Sequence, residues 1–217
     1  STNTTSAMPT TGLVSYYKLD ETSGSTASDS FGSANLTNTG VSINQSGKIG
    51  NSYLATTVGN KIKTSSFSPI TGAFTVNLWA YRTATLPLYA GVFDAGNYNT
   101  NNGFSIWGDT SNNLGWRINQ NYNNFSALMN LPINTWKMVT VVYNGTNVKM
   151  YMDGVLKVTT VMTTNPNTSP VLGMFYNSNN NAEFFGRIDE AAVYNIALTQ
   201  TEIDLLYNSG NGITLWN

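Results

Sequence analysis

Two side-chain types are missing from this chain: it has no cysteine and no histidine. Without cysteine there is no disulfide, no thiol nucleophile and no thiolate metal site. That absence fits a bacterial-type surface protein better than a small disulfide-stapled secreted domain. Without histidine, Ser-His-Asp and Cys-His catalysis, His-ligated zinc and the usual neutral-pH proton shuttle are excluded. Charge is also scarce. Asp, Glu, Lys and Arg make up 10% of the chain, against roughly 25% in an average soluble domain. With a net charge of −1 and a pI near 5.2, nothing invites a nucleic-acid backbone. No basic amphipathic run marks a membrane surface, and no apolar stretch is long enough to insert in a bilayer.

What remains is apolar material and uncharged polarity. Hydrophobic residues are 41% of 217, enough for a sizeable core, and an all-β sandwich of this length folds as one unit. Asn, Ser, Thr and Gly supply the polar surface. The clearest stretch runs from Trp136 to Thr160, WKMVTVVYNGTNVKMYMDGVLKVTT. Apolar residues alternate through it, and Asn144-Gly145 and Asp153-Gly154 break the alternation. Such dipeptides mark tight hairpin turns, because turns that match strand twist need positive φ. The stretch therefore predicts a three-stranded antiparallel meander.

The rest of the chain follows the same rhythm. Residues 1–11 read as a flexible linker, and residues 12–217 as the domain. Strands are expected over Leu13–Leu19, Tyr53–Thr57, Lys61–Thr64, Phe74–Tyr81, Leu88–Phe93, Gly103–Trp107, Leu114–Asn119, Val171–Phe175 and Phe184–Tyr194, with a short closing strand at Ile213–Trp216. In FTVNLWAY, Phe74, Val76, Leu78 and Ala80 share the wholly apolar face and are expected to point inward. Asp20–Gly40 reads as a loop too long for an ordinary turn. One helix is predicted: Thr199 and Glu202 form a capping box, Ile203, Leu206 and Tyr207 share a face, and Gly210 stops it. The fold class is all-β, a two-sheet antiparallel jelly-roll sandwich with one short C-terminal helix.

The segments GLVSYYKLDETSG with DSFGSANLT, GKIGNSYL, FTVNLWAY, WKMVTVVYNGTNVKMYMDGVLKV and GRIDEAAVYNIALTQTEIDLLY resemble, in order, the laminin G-like domains of the concanavalin A-like lectin/glucanase superfamily, in the form common in bacterial and phage surface proteins. The resemblance implies a two-sheet jelly roll, often with calcium, that serves as a carbohydrate-binding or adhesive module of a larger extracellular, cell-surface or virion-surface protein. It does not imply a particular ligand.

Three constellations are candidates for chemistry. The first is a calcium site from Asp20, Asp29, Asn35 and Asp189. The loop after Asp20 is rich in the hard oxygens calcium prefers, and the resemblance places it near the strand carrying Asp189. The competing reading has Asp20 and Asp29 capping turns and Asp189 meeting Arg187 or a backbone amide. The second is a catalytic carboxylate pair. Glucanases of this fold place two acids at alternate positions of one strand. Asp189 and Glu190 are adjacent, so on a regular strand they face opposite sides of the sheet, and Ala191 and Ala192 follow. This excludes the paired-acid pattern, makes a non-catalytic module the expectation, and leaves Glu190 to a salt bridge with Lys18 or Arg187. The third is a sugar-binding surface. Three loops combine tyrosine with asparagine, at 97–102, 119–124 and 176–181. Aromatic rings stack on sugar C–H faces, and amides both donate to and accept from hydroxyl pairs. Tyr98, Asn99, Trp107, Arg117, Tyr122, Asn123, Tyr176 and Asn177 are the candidates, with a neutral glycan as partner. By strand parity Trp116 belongs to the core with Leu114 and Ile118, while Trp107 is expected at the surface.

Overall fold

The structure, a computed structural model, describes residues 7–97, 102–122, 125–166, 170–178 and 183–215. In chain order the strands are β1 (Leu13–Tyr17), β2 (Thr26–Ala27), β3 (Leu36–Thr39), β4 (Ser42–Ser46), β5 (Asn51–Ala55) and β6 (Lys61–Thr64). Then come β7 (Phe74–Arg82), β8 (Ala90–Asn97), β9 (Asn102–Gly108), β10 (Asn113–Ile118), β11 (Asn121–Tyr122) and β12 (Ser126–Asn130). The last are β13 (Lys137–Tyr143), β14 (Asn147–Met152), β15 (Val155–Val161), β16 (Leu172–Met174) and β17 (Gly186–Tyr194), followed by the helix α1 (Gln200–Tyr207). An eight-stranded sheet runs β15-β14-β13-β7-β17-β5-β4, with β1 also on β17; a nine-stranded sheet runs β11-β10-β9-β8-β16-β6-β3-β2, with β12 also on β10. All these strand pairings are antiparallel. This is the expected jelly-roll sandwich.

The core lies between the sheets. Phe74, Val76, Leu78 and Ala80 of β7 meet Phe104 and Ile106 of β9 and Leu114, Trp116 and Ile118 of β10. Phe104 stacks on Phe74 with centroids 3.9 Å apart and lies 5.9 Å from Phe93. The predicted inward face of β7 and the core role of Trp116 both hold. The meander also forms as read: Asp153 takes φ +54 and Gly154 φ +76 at its second turn. Asp153 adds a salt bridge to Lys137 at 2.5 Å.

A second apolar cluster covers the outer face of the eight-stranded sheet. Tyr16, Trp79, Met138, Tyr151 and Tyr194 lie under Met8, Ile203, Leu206 and Ile213. α1 is held by its capping box, Thr199 Oγ1 accepting from Glu202 N while the Glu202 side chain accepts from Thr199 N. It ends at Asn208 in the left-handed region, φ +47, two residues before the expected Gly210.

Three expectations change here. Residues 7–11 are not a free linker: Met8 is buried, and Pro9 O accepts a hydrogen bond from the Tyr194 hydroxyl at 3.0 Å. The Asp20–Gly40 stretch holds β2 and all of β3, whose LTNT sequence lacks apolar alternation because only Leu36 turns to the core. Residues 213–215 form no strand; they pack over Tyr16, whose Oη accepts from Leu215 N at 3.3 Å, while Trp216 lies outside the described residues.

Phe104→Ala removes the ring sandwiched between the sheets, and urea unfolding should show a loss of about 3–5 kcal/mol.

Candidate functional site

Asp29 faces backbone N–H groups. Its Oδ1 accepts from Tyr16 N (3.0 Å), Phe31 N (3.2 Å) and Gly32 N (2.8 Å), and its Oδ2 from Ala34 N (3.0 Å). Asn35 Oδ1 accepts from Asp29 N at 2.8 Å. Asp20 Oδ1 accepts from Asn51 N at 2.7 Å. Asp189 Oδ2 accepts from Lys48 N and Ile49 N at 2.7 and 2.9 Å, and its Oδ1 from Glu190 N at 2.9 Å. Asp20 and Asp189 thus grip the turn between β4 and β5 from two sides. Calcium needs six to eight oxygens. These carboxylates point at hydrogen-bond donors instead, and the described residues contain no group of three or more acidic side chains that could ligate a metal. The donor set does not fit calcium. It fits the turn-capping, backbone-amide reading.

Asp189 and Glu190 do not face opposite sides. The register of β17 against β7 slips between Asp189 and Ala192. Glu190 takes φ +50. Ile188 and Ala191, three apart, both enter the inter-sheet core, so the bulge turns both acids outward. The partner of Glu190 is Tyr16, whose hydroxyl meets Glu190 Oε2 and lies 2.9 Å from Thr214 Oγ1; no ion pair with Lys18 or Arg187 forms. Burial pushes the Glu190 carboxyl up to about 8, offset in part by Thr214. Burial pushes Asp189 up to about 8 as well, against the pull of its backbone donors. Both acids are buried, Glu190 with Tyr16 of the outer cluster and Asp189 against the β4–β5 turn.

The outer face of the nine-stranded sheet differs. Alternation sends Ser105 and Trp107 of β9 and Arg117 of β10 outward. The register sets one row across the sheet: Thr37 on Lys63, Lys63 on Gly173, Gly173 on Asp94, Asp94 on Ser105 and Ser105 on Arg117. Asp94 Oδ1 accepts from Ser105 Oγ (2.9 Å) and lies 3.5 Å from Arg117 Nη2. Asp94 Oδ2 accepts from the N–H and hydroxyl of Ser178 at 2.9 and 2.8 Å. Burial raises the Asp94 pKa, with Arg117 and the serine donors drawing it back. The Asn177 amide donates to Tyr89 O at 2.6 Å.

These contacts strap residues 175–178 across the sheet. Two glycines make room. A Cβ on Gly91 would sit 2.0 Å from Tyr176 O, and one on Gly173 would sit 2.9 Å from Tyr176 Cδ1. Tyr176 therefore lies over Gly173, half-buried, beside a groove of about 470 Å³ lined by Thr37, Thr39, Lys63, Thr64, Ser65, Val171 and itself.

Of the sugar-site candidates, Tyr98, Asn99 and Asn123 lie outside the described residues, as does the side chain of Tyr122, whose backbone pairs with Arg117 in β11. Trp107 is on the expected face but only 3% exposed. Tyr89 packs edge-on against it at 5.3 Å, and the Arg117 guanidinium lies 5.3 Å from its ring. Arg117 and Asn177 are buried too. Parity gave the face of Trp107 correctly, but its cover comes from side chains remote in sequence. Tyr176 alone of the described candidates borders open space. Thr37, Thr39 and Lys63, which line the groove with it, were not among the candidates; Lys61-Ile62-Lys63 alternates, but LTNT carries no comparable apolar signal.

A family model described as the concanavalin A-like lectin/glucanases superfamily matches residues 50–204. The chain belongs to that superfamily, as a laminin G-like domain. No curated protein matches its sequence. Among solved structures, domain 4 of AbnA, a GH43 extracellular arabinanase from Geobacillus stearothermophilus in complex with arabinotriose, is 22% identical with a TM-score of 0.69, over 89% of this chain and 97% of that one. The binding domain of Paraclostridial Mosquitocidal Protein 1 is 18% identical with a TM-score of 0.70, over 92% and 52%. Trypanosoma rangeli sialidase is 15% identical with a TM-score of 0.72, over 95% and 34%. This laminin G-like domain thus spans about half of the mosquitocidal binding domain and a third of the sialidase. At these identities the likeness establishes the fold.

Two outcomes test the acids. Asp29→Ala strands four N–H groups and should cost about 3 kcal/mol in urea unfolding, while EDTA should leave the wild-type midpoint unmoved. Glu190 has a folded pKa above its unfolded value, so its stabilisation is complete below about 4.5 and is lost as pH rises through about 8. The melting temperature should fall between pH 5 and 8.5, and Glu190→Gln should flatten that slope, leaving the part due to Asp189.

Proposed function

We propose that this laminin G-like domain is a non-catalytic carbohydrate-binding module, with the outer face of the nine-stranded sheet at Tyr176 as its sugar-contacting surface. One observation carries the reading: a half-exposed tyrosine ring is clamped over Gly173 at the edge of a groove rich in hydroxyls. A fixed ring offers stacking area at low entropic cost, and hydroxyls exchange hydrogen bonds with a sugar. Such contacts are individually weak and gain strength when several modules engage one glycan. The neighbours agree in kind. One is a domain in complex with arabinotriose; another is from botulinum neurotoxin type C, whose cell entry depends on interaction with two ganglioside molecules.

The non-catalytic part rests on the two acids of β17. Asp189 spends both oxygens on backbone N–H groups and Glu190 is covered, so neither is offered to a substrate. We place the module outside the cell or on a virion surface, within a larger protein. A second reading, an adhesion domain that docks another protein, is favoured by one observation: Leu128, Val155, Leu156 and Val161 are exposed, on β12 and the edge strand β15.

A glycan array separates the readings. The wild-type chain should be retained, and Tyr176→Ala should lose at least ten-fold in affinity with an unchanged circular dichroism spectrum. Retention unaffected by Tyr176→Ala would remove the site from this face.

A further inference from the structure

We infer that the glycan this face takes is acidic, a carboxylate-bearing saccharide rather than a neutral one. The inference rests on the Tyr176 reading above and names its ligand class. On β6, Ile62 enters the core, so Lys61 and Lys63 both point outward. Opposite them on β3 stand Thr39 and Thr37, in register Thr39 with Lys61 and Thr37 with Lys63, and both threonines are exposed. The Lys63 ammonium lies 5.4 Å from the centroid of the Tyr176 ring. One patch thus combines two cations, a row of hydroxyls and an aromatic face.

The charges are uncompensated. None of the groove's lining residues is acidic, and among the described residues neither lysine is in an ion pair. Asp94, which shares the outward row with Lys63, is fully buried and occupied by Arg117, Ser105 and Ser178. In a chain with 10 basic residues in 217, two on one face of a four-residue strand set the local potential. Residues i and i+2 of a strand lie about 6.6 Å apart, so the two ammonium groups can each meet a carboxylate of a repeating acidic glycan while Tyr176 stacks on a ring between or beside them. A phosphate polymer would satisfy the lysines and hydroxyls but leave the ring unused; a neutral glycan would satisfy the ring and leave the lysines unused.

The test compares one saccharide with and without its charge: polygalacturonate against its fully methyl-esterified form, with sialyllactose against lactose as a second pair. Affinity electrophoresis or calorimetry with the 217-residue chain should show binding to a carboxylated member at least ten-fold tighter than to its neutral partner, weakening as salt rises. Lys61→Ala/Lys63→Ala should abolish that preference and Lys61→Arg/Lys63→Arg should keep it, while Tyr176→Ala weakens both members of a pair. Equal binding to charged and neutral partners, or a preference that survives the double alanine variant, overturns the inference and leaves the sugar-binding reading standing. Retention on no glycan at all overturns both.

Discussion

The fold depends on carboxylates that accept backbone N–H groups where the chain crosses the sandwich. A jelly roll joins distant strands by long connections, and each connection brings peptide groups into places where neither sheet can pair them. An unpaired buried N–H costs free energy comparable to a lost hydrogen bond. Asp29 gathers four such groups from β1 and the loop before β3. Asp20 and Asp189, far apart in sequence, hold the β4–β5 turn together. Asp94 fixes Ser178 over β8. Most of these acids stand at loops or bulges, and their backbone donors explain how so charge-poor a chain keeps Asp29, Asp94 and Asp189 inside.

The same device builds the candidate site. The ring of Tyr176 is not positioned by its own strand, since β16 ends at Met174. It is positioned because Ser178 is tied to Asp94 and Asn177 to Tyr89 O, and because Gly91 and Gly173 let the strap lie down. Arg117 sits one layer beneath, neutralising Asp94 and supporting Trp107. The buried polar row is therefore scaffolding for an exposed surface. Residues that look like ligand contacts by composition turn out to hold the one that borders the groove.

This division explains what could be read in advance. The meander, β7, the capping box and the core role of Trp116 rest on local patterns: period-two alternation, Asn-Gly and Asp-Gly turns, Thr199 with Glu202. β3 and β4 were illegible because LTNT and SINQS carry few apolar residues and pair only at the margins of their sheets. The bulge at Glu190 was illegible because nothing in GRIDEAAVY announces a positive φ; Tyr16 and Thr214, remote in sequence, hold the side chain that results. Trp107 shows the same limit. Alternation fixes the side of a sheet on which a residue lies, and only the path of another segment fixes whether that side is wet.

The two outer faces consequently have different fates. Over the eight-stranded sheet, Met8, α1 and residues 213–215 form a lid of apolar side chains, so that face is spent on stability. Over the nine-stranded sheet, the strap at 175–178 covers β8 and its neighbours but stops short of β6 and β3, where the outward residues are threonine and lysine. A strand needs inward apolar residues to be held and places no demand on the other side. Short polar strands at the end of a sheet are therefore where this architecture can carry recognition without risk to its core.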